Sequence, residues 1–344
     1  MTRPSRSPNA AAGRVLSRHA VVGVGLLGAL LACPKTGSAQ GPATEGAVFL
    51  LIPLGARAVS LGESVAATRL GAEGALWNPA SLAWATSREL VYDHVGETFV
   101  LPSADVLSFV LPAGRAGSVG GAVRYFNFGD QEATDPFGTV IGTLYSRATV
   151  LTGSYAATFG QRVAAGVSAH WVRQGDSCGG SCPGAHTFSV STTAFDVGVQ
   201  AADVRATGIT LAASIRNLGF GLQVNDAEQT DPLPTRLHLG ASYRVARAGQ
   251  WRSGLAMSVS GEVVTLKTFT SPSLRLGTEF ALSNVLMVRL GTAIRAPVGA
   301  PWGSAGIGVR RGRLGLDFAR TIGGSAADAG TPPTYVSLRV GFGR

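Results

Sequence analysis

Charged residues are scarce in this chain. Asp, Glu, Lys and Arg make up 14% of its 344 residues, whereas soluble globular domains carry about 25%. A long apolar run is also lacking, because no stretch of 18 apolar residues follows the N-terminal region. The first scarcity argues against an ordinary cytosolic domain, and the second argues against a transmembrane helix.

A basic patch of the kind that binds nucleic acid is missing as well. The formal net charge is +9, but five basic residues and no acidic residue lie within positions 1–39, so the remaining chain carries +4. No run rich in Lys and Arg follows. Because such a run is the electrostatic footprint of a nucleic-acid partner, we predict no nucleic-acid partner.

Cysteine is rare, with three in the chain. Cys178 and Cys182 flank two glycines and a serine, and in an exported protein this spacing predicts a small disulfide-closed loop. The alternative is half of a zinc site, although no second cysteine pair completes it and only His186 lies nearby. We predict the disulfide, and we predict neither a metal nor a cofactor.

The N-terminus has the parts of an export signal. Four arginines precede a 13-residue apolar stretch at 20–32, which is too short to span a bilayer as a helix. Small residues follow and predict cleavage after Ala39, so that residues 1–39 are a signal peptide. The alternative is a lipoprotein signal with lipid on Cys33.

Alternation of apolar and polar residues dominates the rest of the chain. Leu286, Val288 and Leu290 fall on one side of their segment, whereas Arg289 falls on the other, and a helical period would place charges on every face. Most of these segments have the roughly 9–11 residues that a tilted strand needs to cross a bilayer. We therefore predict that residues 89–344 form an all-β transmembrane barrel of about 14 antiparallel strands. The predicted strands lie near 89–96, 104–112, 117–128, 145–158, 161–173, 193–203, 208–217, 235–247, 253–266, 272–282, 285–295, 303–311, 313–321 and 334–342.

The predicted connections sort by length and by charge. Connections after even-numbered strands are short, whereas four connections after odd-numbered strands are long, as in outer-membrane barrels with short periplasmic turns and long external loops. The long connections contain eight acidic residues and no Lys or Arg. This predicts a solvated acidic rim, and the alternative is a site for cations or a basic partner, with 225–231 as the calcium candidate. The long connections are 129–144, 174–192, 218–234 and 322–333.

No catalytic motif stands beyond the signal: neither a nucleophile elbow, nor a phosphate loop, nor a His-Glu zinc motif. We predict a non-enzymatic protein with no catalytic residue. Charged side chains nevertheless fall on the inward phase of the strands, and a buried charge needs a partner or water. They predict an internal salt-bridge network, and the alternative is a lumen that guides an anionic group such as a fatty-acid carboxylate. The six charges are Arg244, Arg275, Glu279, Arg289, Asp317 and Arg339.

The stretch "GARAVSLGESVAATRLGAEGALWNPASLAW" at 55–84 resembles the N-terminal signature of the PorV/PorQ family of outer-membrane barrels, which are similar to the FadL fatty-acid transporters. Asn217–Gly219, Leu233–Thr235 and Leu239–Tyr243 match a second stretch of that family, and "FDVGVQ" at 195–200 is a weaker echo. The resemblance runs from Gly46 to the C-terminus. The residues that match the first signature are Gly55, Ala56, Arg57, Ala58, Gly62, Trp77, Asn78, Pro79, Ala80 and Leu82.

The resemblance implies a 14-stranded barrel in the bacterial outer membrane, with residues 40–88 tucked inside as a hatch. Pro79 biases Asn78 toward an extended conformation, and a barrel of this width needs more than its own side chains to fill it. The signature residues therefore have a structural or gating role. Two departures stand out: Glu73 is the lone acid where the family often has paired Asp, and the chain continues two residues past Phe342.

The resemblance implies two functions. Some members of the family act in type IX secretion, binding cargo proteins at the cell surface, and FadL relatives pass hydrophobic molecules. We predict an accessory component of protein secretion whose partners are membrane lipid and secreted cargo or other secretion components. The alternative is a channel for hydrophobic small molecules.

Overall fold

The computed structural model describes residues 45–96, 103–184, 187–223, 230–245, 255–283, 285–295, 301–323 and 332–343. The predicted signal peptide, its cleavage after Ala39 and the alternative of a lipid on Cys33 lie outside the described residues. So does most of the calcium candidate at 225–231. In the described part of the chain, no helix has the length and apolar character needed to cross a membrane.

Fourteen antiparallel strands close into a barrel, in which each strand pairs with its neighbours along the chain and β1 pairs with β16. A separate two-stranded sheet, β8–β9, lies in the connection after β7. The prediction of an all-β barrel with 14 strands is confirmed. The strands are β1 Arg88–Val95, β2 Ser103–Pro112, β3 Ser118–Thr134, β4 Val140–Phe159, β5 Val163–Gly180, β6 Phe188–Ala201, β7 Ile209–Gly219, β8 Leu222–Gln223, β9 Thr230–Asp231, β10 Arg236–Val245, β11 Leu255–Leu266, β12 Ser273–Leu282, β13 Leu286–Arg295, β14 Trp302–Arg311, β15 Leu314–Ile322 and β16 Thr334–Phe342.

The alternation of residue types becomes the two faces of the barrel wall. On β15, Leu314, Leu316 and Phe318 are exposed on the outer face, whereas Asp317 and Ala319 are fully buried on the inner face. Successive side chains of a strand point to opposite faces of a sheet, so a period of two leaves an apolar outer surface around a more polar interior. This is the arrangement of a barrel that spans a bilayer.

Two of the four predicted long loops, 129–144 and 174–192, are wrong, because much of each is strand. The strands on either side of 129–144 continue into it, so that β3 and β4 leave a turn of 135–139 between them. Likewise β5 and β6 extend into 174–192 and leave 181–187. Alternation marks a strand only where one of its faces is apolar. In these extensions, charged residues, amides and glycines interrupt the alternation, although the backbone pairing continues.

Residues 45–87 contact inward-facing residues of the strands, such as Glu262 and Ser337, and we call them the internal segment. It contains two short helices, α1 (Ala56–Ser60) and α2 (Gly74–Trp77), and 3-10 turns at Val48–Leu51, Gly71–Glu73 and Pro79–Trp84. The Gly46 N–H donates to the Pro232 carbonyl at 3.0 Å, within the connection after β7. The Ala72 N–H donates to Glu89 Oε1 at 2.8 Å, near the start of β1. The segment therefore runs from the long-connection end of the barrel to the short-turn end.

Candidate functional site

The internal segment meets one side of the barrel through glycines. Gly198 on β6 lies against Asn78, and a Cβ atom at this position would collide with Asn78 Oδ1. Gly166 on the neighbouring strand β5 leaves no room for a Cβ beside the backbone of Pro79 and Ala80. We call strands β5 and β6, with these two glycines, the glycine wall. Only residues without a side chain permit this close approach of the two backbones.

Asn78 and Pro79 shape the segment at the point where it meets the glycine wall. Asn78 is extended, with φ −146° and ψ 108°, as expected for a residue before proline. Its Oδ1 accepts the Ala80 N–H at 3.1 Å and so caps the 3-10 turn that Pro79 begins. Its Nδ2 donates to the Ala66 carbonyl at 2.9 Å, which ties two parts of the segment together.

Two tryptophans of the signature region are bound by their indole N–H groups. Trp77 Nε1 donates to the Leu54 carbonyl at 3.1 Å, and the Arg216 guanidinium lies 5.1 Å from the centre of its ring. Trp84 Nε1 donates to Gln200 Oε1 at 2.8 Å, and Gln200 on β6 in turn donates to the Ala66 carbonyl at 2.7 Å. Gln200 thus joins β6 to the segment through neutral hydrogen bonds, whereas both hydrogen bonds of the Asn78 side chain lie within the segment.

Gly55 and Gly62 of the signature adopt conformations that favour glycine. Both have positive φ, 84° and 62° respectively, which side chains other than glycine rarely tolerate. A Cβ at Gly55 would collide with the Glu73 carboxylate. The Gly62 N–H donates to Ser304 Oγ at 3.2 Å, and the backbone there lies against the inward-facing Gly277 and Gly291.

The opposite side of the barrel binds the segment through charge. Arg57 Nε lies 3.2 Å from Glu279 Oε2, and Glu63 Oε2 lies 2.9 Å from Arg275 Nη1. Glu73 forms a buried ion pair with Arg339. These pairs join the segment to β12 and β16, and we call β12, β13, β15 and β16, with their inward charges, the charged wall.

The charged wall continues as a network of its own. Arg289, which is fully buried, places Nε 2.6 Å from Glu279 Oε2 and Nη1 2.6 Å from Asp317 Oδ1. Arg339 pairs with Glu89 as well as with Glu73. Buried charges of this kind are costly unless every one has a partner.

Five of the six predicted inward charges belong to this network: Arg275, Glu279, Arg289, Asp317 and Arg339. Arg244 is different. It is exposed at the end of β10, and in the part of the chain that the structure describes no carboxylate pairs with it. Paired charges hold the interior together, whereas an unpaired guanidinium is open to a ligand.

Sequence reasoning missed Glu262, an inward residue of β11. Its Oε2 accepts the N–H groups of Val65 and Ala66 at 2.9 and 2.8 Å, and its Oε1 lies 2.7 Å from His238 Nδ1. The carboxylate therefore anchors the middle of the internal segment. The sequence could have indicated Glu262, because His238 and Glu262 both fall on inward-facing positions of neighbouring strands.

The mid-chain motifs of the predicted family meet at one irregularity between β6 and β7. Asn217 is left-handed, with φ 56°, and its N–H donates to Asp196 Oδ1 at 2.7 Å. Its side chain donates to the Pro234 carbonyl at 3.3 Å, and Thr235 Oγ1 donates to the Asn217 carbonyl at 2.9 Å. Asp196 also lies 3.0 Å from His170 Nε2. The three motifs thus serve one bulge, at which the pairing register shifts.

Cys178 and Cys182 are joined by a disulfide at the end of β5. Among the described residues, no group of three His, Cys, Asp or Glu side chains is arranged to hold a metal ion.

The family model described as "Type IX secretion system protein PorV" matches residues 36–271. The chain belongs to the PorV family. The match includes the whole internal segment, the glycine wall and the bulge at Asn217. No curated protein sequence matches the chain.

Solved structures share the fold of this PorV-family chain at low sequence identity. The CymD monoaromatic hydrocarbon channel is 14% identical with a TM-score of 0.58, covering 86% of this chain and 99% of its own. The toluene transporter TbuX of Ralstonia pickettii is 13% identical with a TM-score of 0.55, over 86% and 100%. A FadL homologue of Pseudomonas aeruginosa is 12% identical with a TM-score of 0.50, over 85% and 98%. Family and fold together place the protein in the outer membrane as a β-barrel.

Proposed function

We propose that the protein is a non-enzymatic accessory component of protein secretion, of the type IX kind, which holds a secreted or secretion-system partner at the outer face of the membrane. The observation that carries the proposal is the filled interior. The internal segment fits the glycine wall and forms three ion pairs with the charged wall. An interior occupied in this way favours a binding role over a transport role.

The extended hairpins supply a surface for such a partner. The β3–β4 hairpin ends in an ordered turn, in which Asp135 Oδ1 accepts the N–H groups of Phe137 and Thr139 at 2.9 Å each. This turn presents Phe137 with 93% of its surface exposed. Aromatic side chains carry a large share of the energy at protein interfaces, so Phe137 is our candidate anchor.

Cross-linking on intact cells tests the secretion role. We expect secreted proteins to be recovered with the wild-type barrel purified from outer membranes, and Phe137→Ser to lower that recovery severalfold. Phe269→Ser is the matched control, because Phe269 is also exposed, at 70%, in a turn at the same end of the barrel. Recovery of no secreted protein with the wild type, together with lipid or hydrocarbon in the lumen, would overturn the proposal.

Passage of hydrophobic small molecules is the second candidate, and the fold shared with the CymD channel and the TbuX transporter favours it. A disulfide lock separates the two. The Ala56 N–H donates to Ser337 Oγ at 2.8 Å, so Ala56→Cys with Ser337→Cys would fix the segment to β16. Oxidation should leave partner recovery unchanged if the protein is a secretion accessory. Loss of toluene uptake on oxidation, restored by reduction, would instead establish a channel.

A further inference from the structure

A cavity of about 150 Å³ lies between the internal segment and strands β7, β10, β11 and β12. Thr210 stands near the start of β7, directly after the short turn 202–208, and the Arg244 N–H donates to the Gly208 carbonyl of that turn at 3.2 Å. Short turns lie on the periplasmic side of outer-membrane barrels. The cavity is therefore a part of the lumen that faces the periplasm, and we call it the periplasmic pocket.

Three arginines line the periplasmic pocket: Arg57, Arg69 and Arg244. Arg57 is bound to Glu279 and donates to the Arg69 carbonyl at 3.0 Å. Arg69 lies over the Trp84 ring at 4.8 Å, and among the described residues no carboxylate pairs with Arg69 or Arg244. Two cations thus share one cavity without an anion between them.

Neutral donors surround the same space. Thr68 comes from the internal segment, Thr210 from β7, and Ser258 from β11, and all three line the pocket. The lining contains one acid, Glu279, whose oxygens are already occupied by Arg57 and Arg289. The pocket therefore offers guanidinium and hydroxyl donors from several directions, and it offers no free acceptor charge.

We propose that the periplasmic pocket binds a phosphate-type oxyanion, with Arg69 and Arg244 as its charged ligands and the hydroxyls of Thr68, Thr210 and Ser258 as neutral donors. Arginine pairs with phosphate oxygens through forked hydrogen bonds. Donors that approach from three separate elements suit a tetrahedral group better than the two oxygens of a flat carboxylate. Trp84 holds one of the two guanidinium groups in place by stacking.

The phosphate has two possible sources on the periplasmic side: a soluble phosphate or the headgroup of a phospholipid. Titration of the intact mature barrel in detergent, followed by calorimetry, measures binding of inorganic phosphate, of acetate, and of a short-chain phosphatidic acid. We expect phosphate to bind about tenfold more tightly than acetate, because each lost hydrogen bond to a charged group weakens binding by roughly that factor. Whichever phosphate compound binds more tightly identifies the source.

Two variants and one control complete the test. Arg69→Gln and Arg244→Gln should each weaken phosphate binding about tenfold or more, while the barrel keeps its heat-modifiable migration on gels. Arg115→Gln should leave binding unchanged, because Arg115 is exposed in a short turn at the same end and does not line the pocket. Equal affinity for acetate and phosphate, equal loss in Arg115→Gln, or no wild-type binding at millimolar phosphate would overturn the proposal.

Discussion

Both walls approach the internal segment closely at glycines, at Gly166 and Gly198 on one wall and at Gly277 and Gly291 on the other, but the two walls differ in charge. At the glycine wall, the hydrogen bonds that Gln200 forms with Trp84 and Ala66 are neutral. At the charged wall, the ion pairs of Arg57, Glu63 and Glu73 join the segment to the strands. Where two backbones are in close contact, adding a side-chain atom forces them apart and destabilises the packing. Where an ion pair is buried, removing one partner destabilises the protein because the other charge stays buried without a partner. Added volume should therefore disturb either wall, whereas removal of one member of an ion pair should act at the charged wall.

The largest effect is expected from adding volume at the glycine wall. Gly198→Val should prevent the segment from seating, because even a Cβ at this position collides with Asn78. We expect loss of the folded barrel or leakage of small solutes through it, measured by heat-modifiable migration and liposome permeability. Gly153→Val is the matched control, since a Cβ there meets nothing within 4 Å. If Gly198→Val behaves like its control, the close fit is unimportant.

Removing one partner at the charged wall should have the next largest effect. Arg339→Gln leaves Glu73 and Glu89 without their cation, and breaking a buried pair in this way costs about 3–5 kcal/mol. Denaturant unfolding would measure the loss. Adding Glu73→Gln to Arg339→Gln should recover part of it. If the double variant is less stable than Arg339→Gln alone, the ion pair is not the cause.

A smaller effect is expected from Asn78→Ala combined with Pro79→Ala. The change removes a capping interaction, which is worth about 1 kcal/mol, and also the hydrogen bond to the Ala66 carbonyl. We expect a folded barrel that leaks small solutes in the liposome assay. Normal folding with unaltered permeability would count against a gating role for this step of the segment.

The smallest effect should come from Ser304→Ala, which removes one of the two acceptors of the Gly62 N–H and leaves the Val59 carbonyl at 2.9 Å. Because the N–H keeps a backbone acceptor, the loss in stability should not exceed about 1 kcal/mol. Denaturant midpoints would show this shift. Ser304→Thr keeps the hydroxyl and serves as the control for that hydrogen bond. A midpoint that falls equally in both variants would point to packing at this position rather than to the hydrogen bond.

Alternation in the sequence predicted most of the barrel because it reports directly which face of a strand is apolar. It placed β15 and β16 within one residue of their observed ends. It missed the outer parts of β3 and β4, where Gln131 pairs with Leu144 and where charged residues, amides and glycines interrupt the alternation. Alternation of residue types depends on whether each face of a strand meets an apolar or a polar environment. Hydrogen bonding between neighbouring backbones does not depend on that environment.

The inward charges were predictable as a set, but their partners were not. The partner of Arg339 is Glu73, 266 residues away in sequence. Which residues meet across a barrel depends on strand tilt and register, and the alternation contains neither. For the same reason Glu262 was missed, although its inward phase was readable. The sequence showed the bulge at Asn217 only as three motifs that match the family. Its geometry depends on contacts between these three segments, which the motifs do not reveal.

The ion pairs of the internal segment have a consequence for assembly. Glu73 is synthesised before any strand, yet its partner Arg339 lies in β16, which pairs with β1 to close the barrel. Ala56 binds Ser337 on the same last strand. Contacts of such long sequence separation form late and slowly. The internal segment therefore gains its last contacts only when β16 is in place. Closure of the barrel and docking of the segment are then one step of assembly.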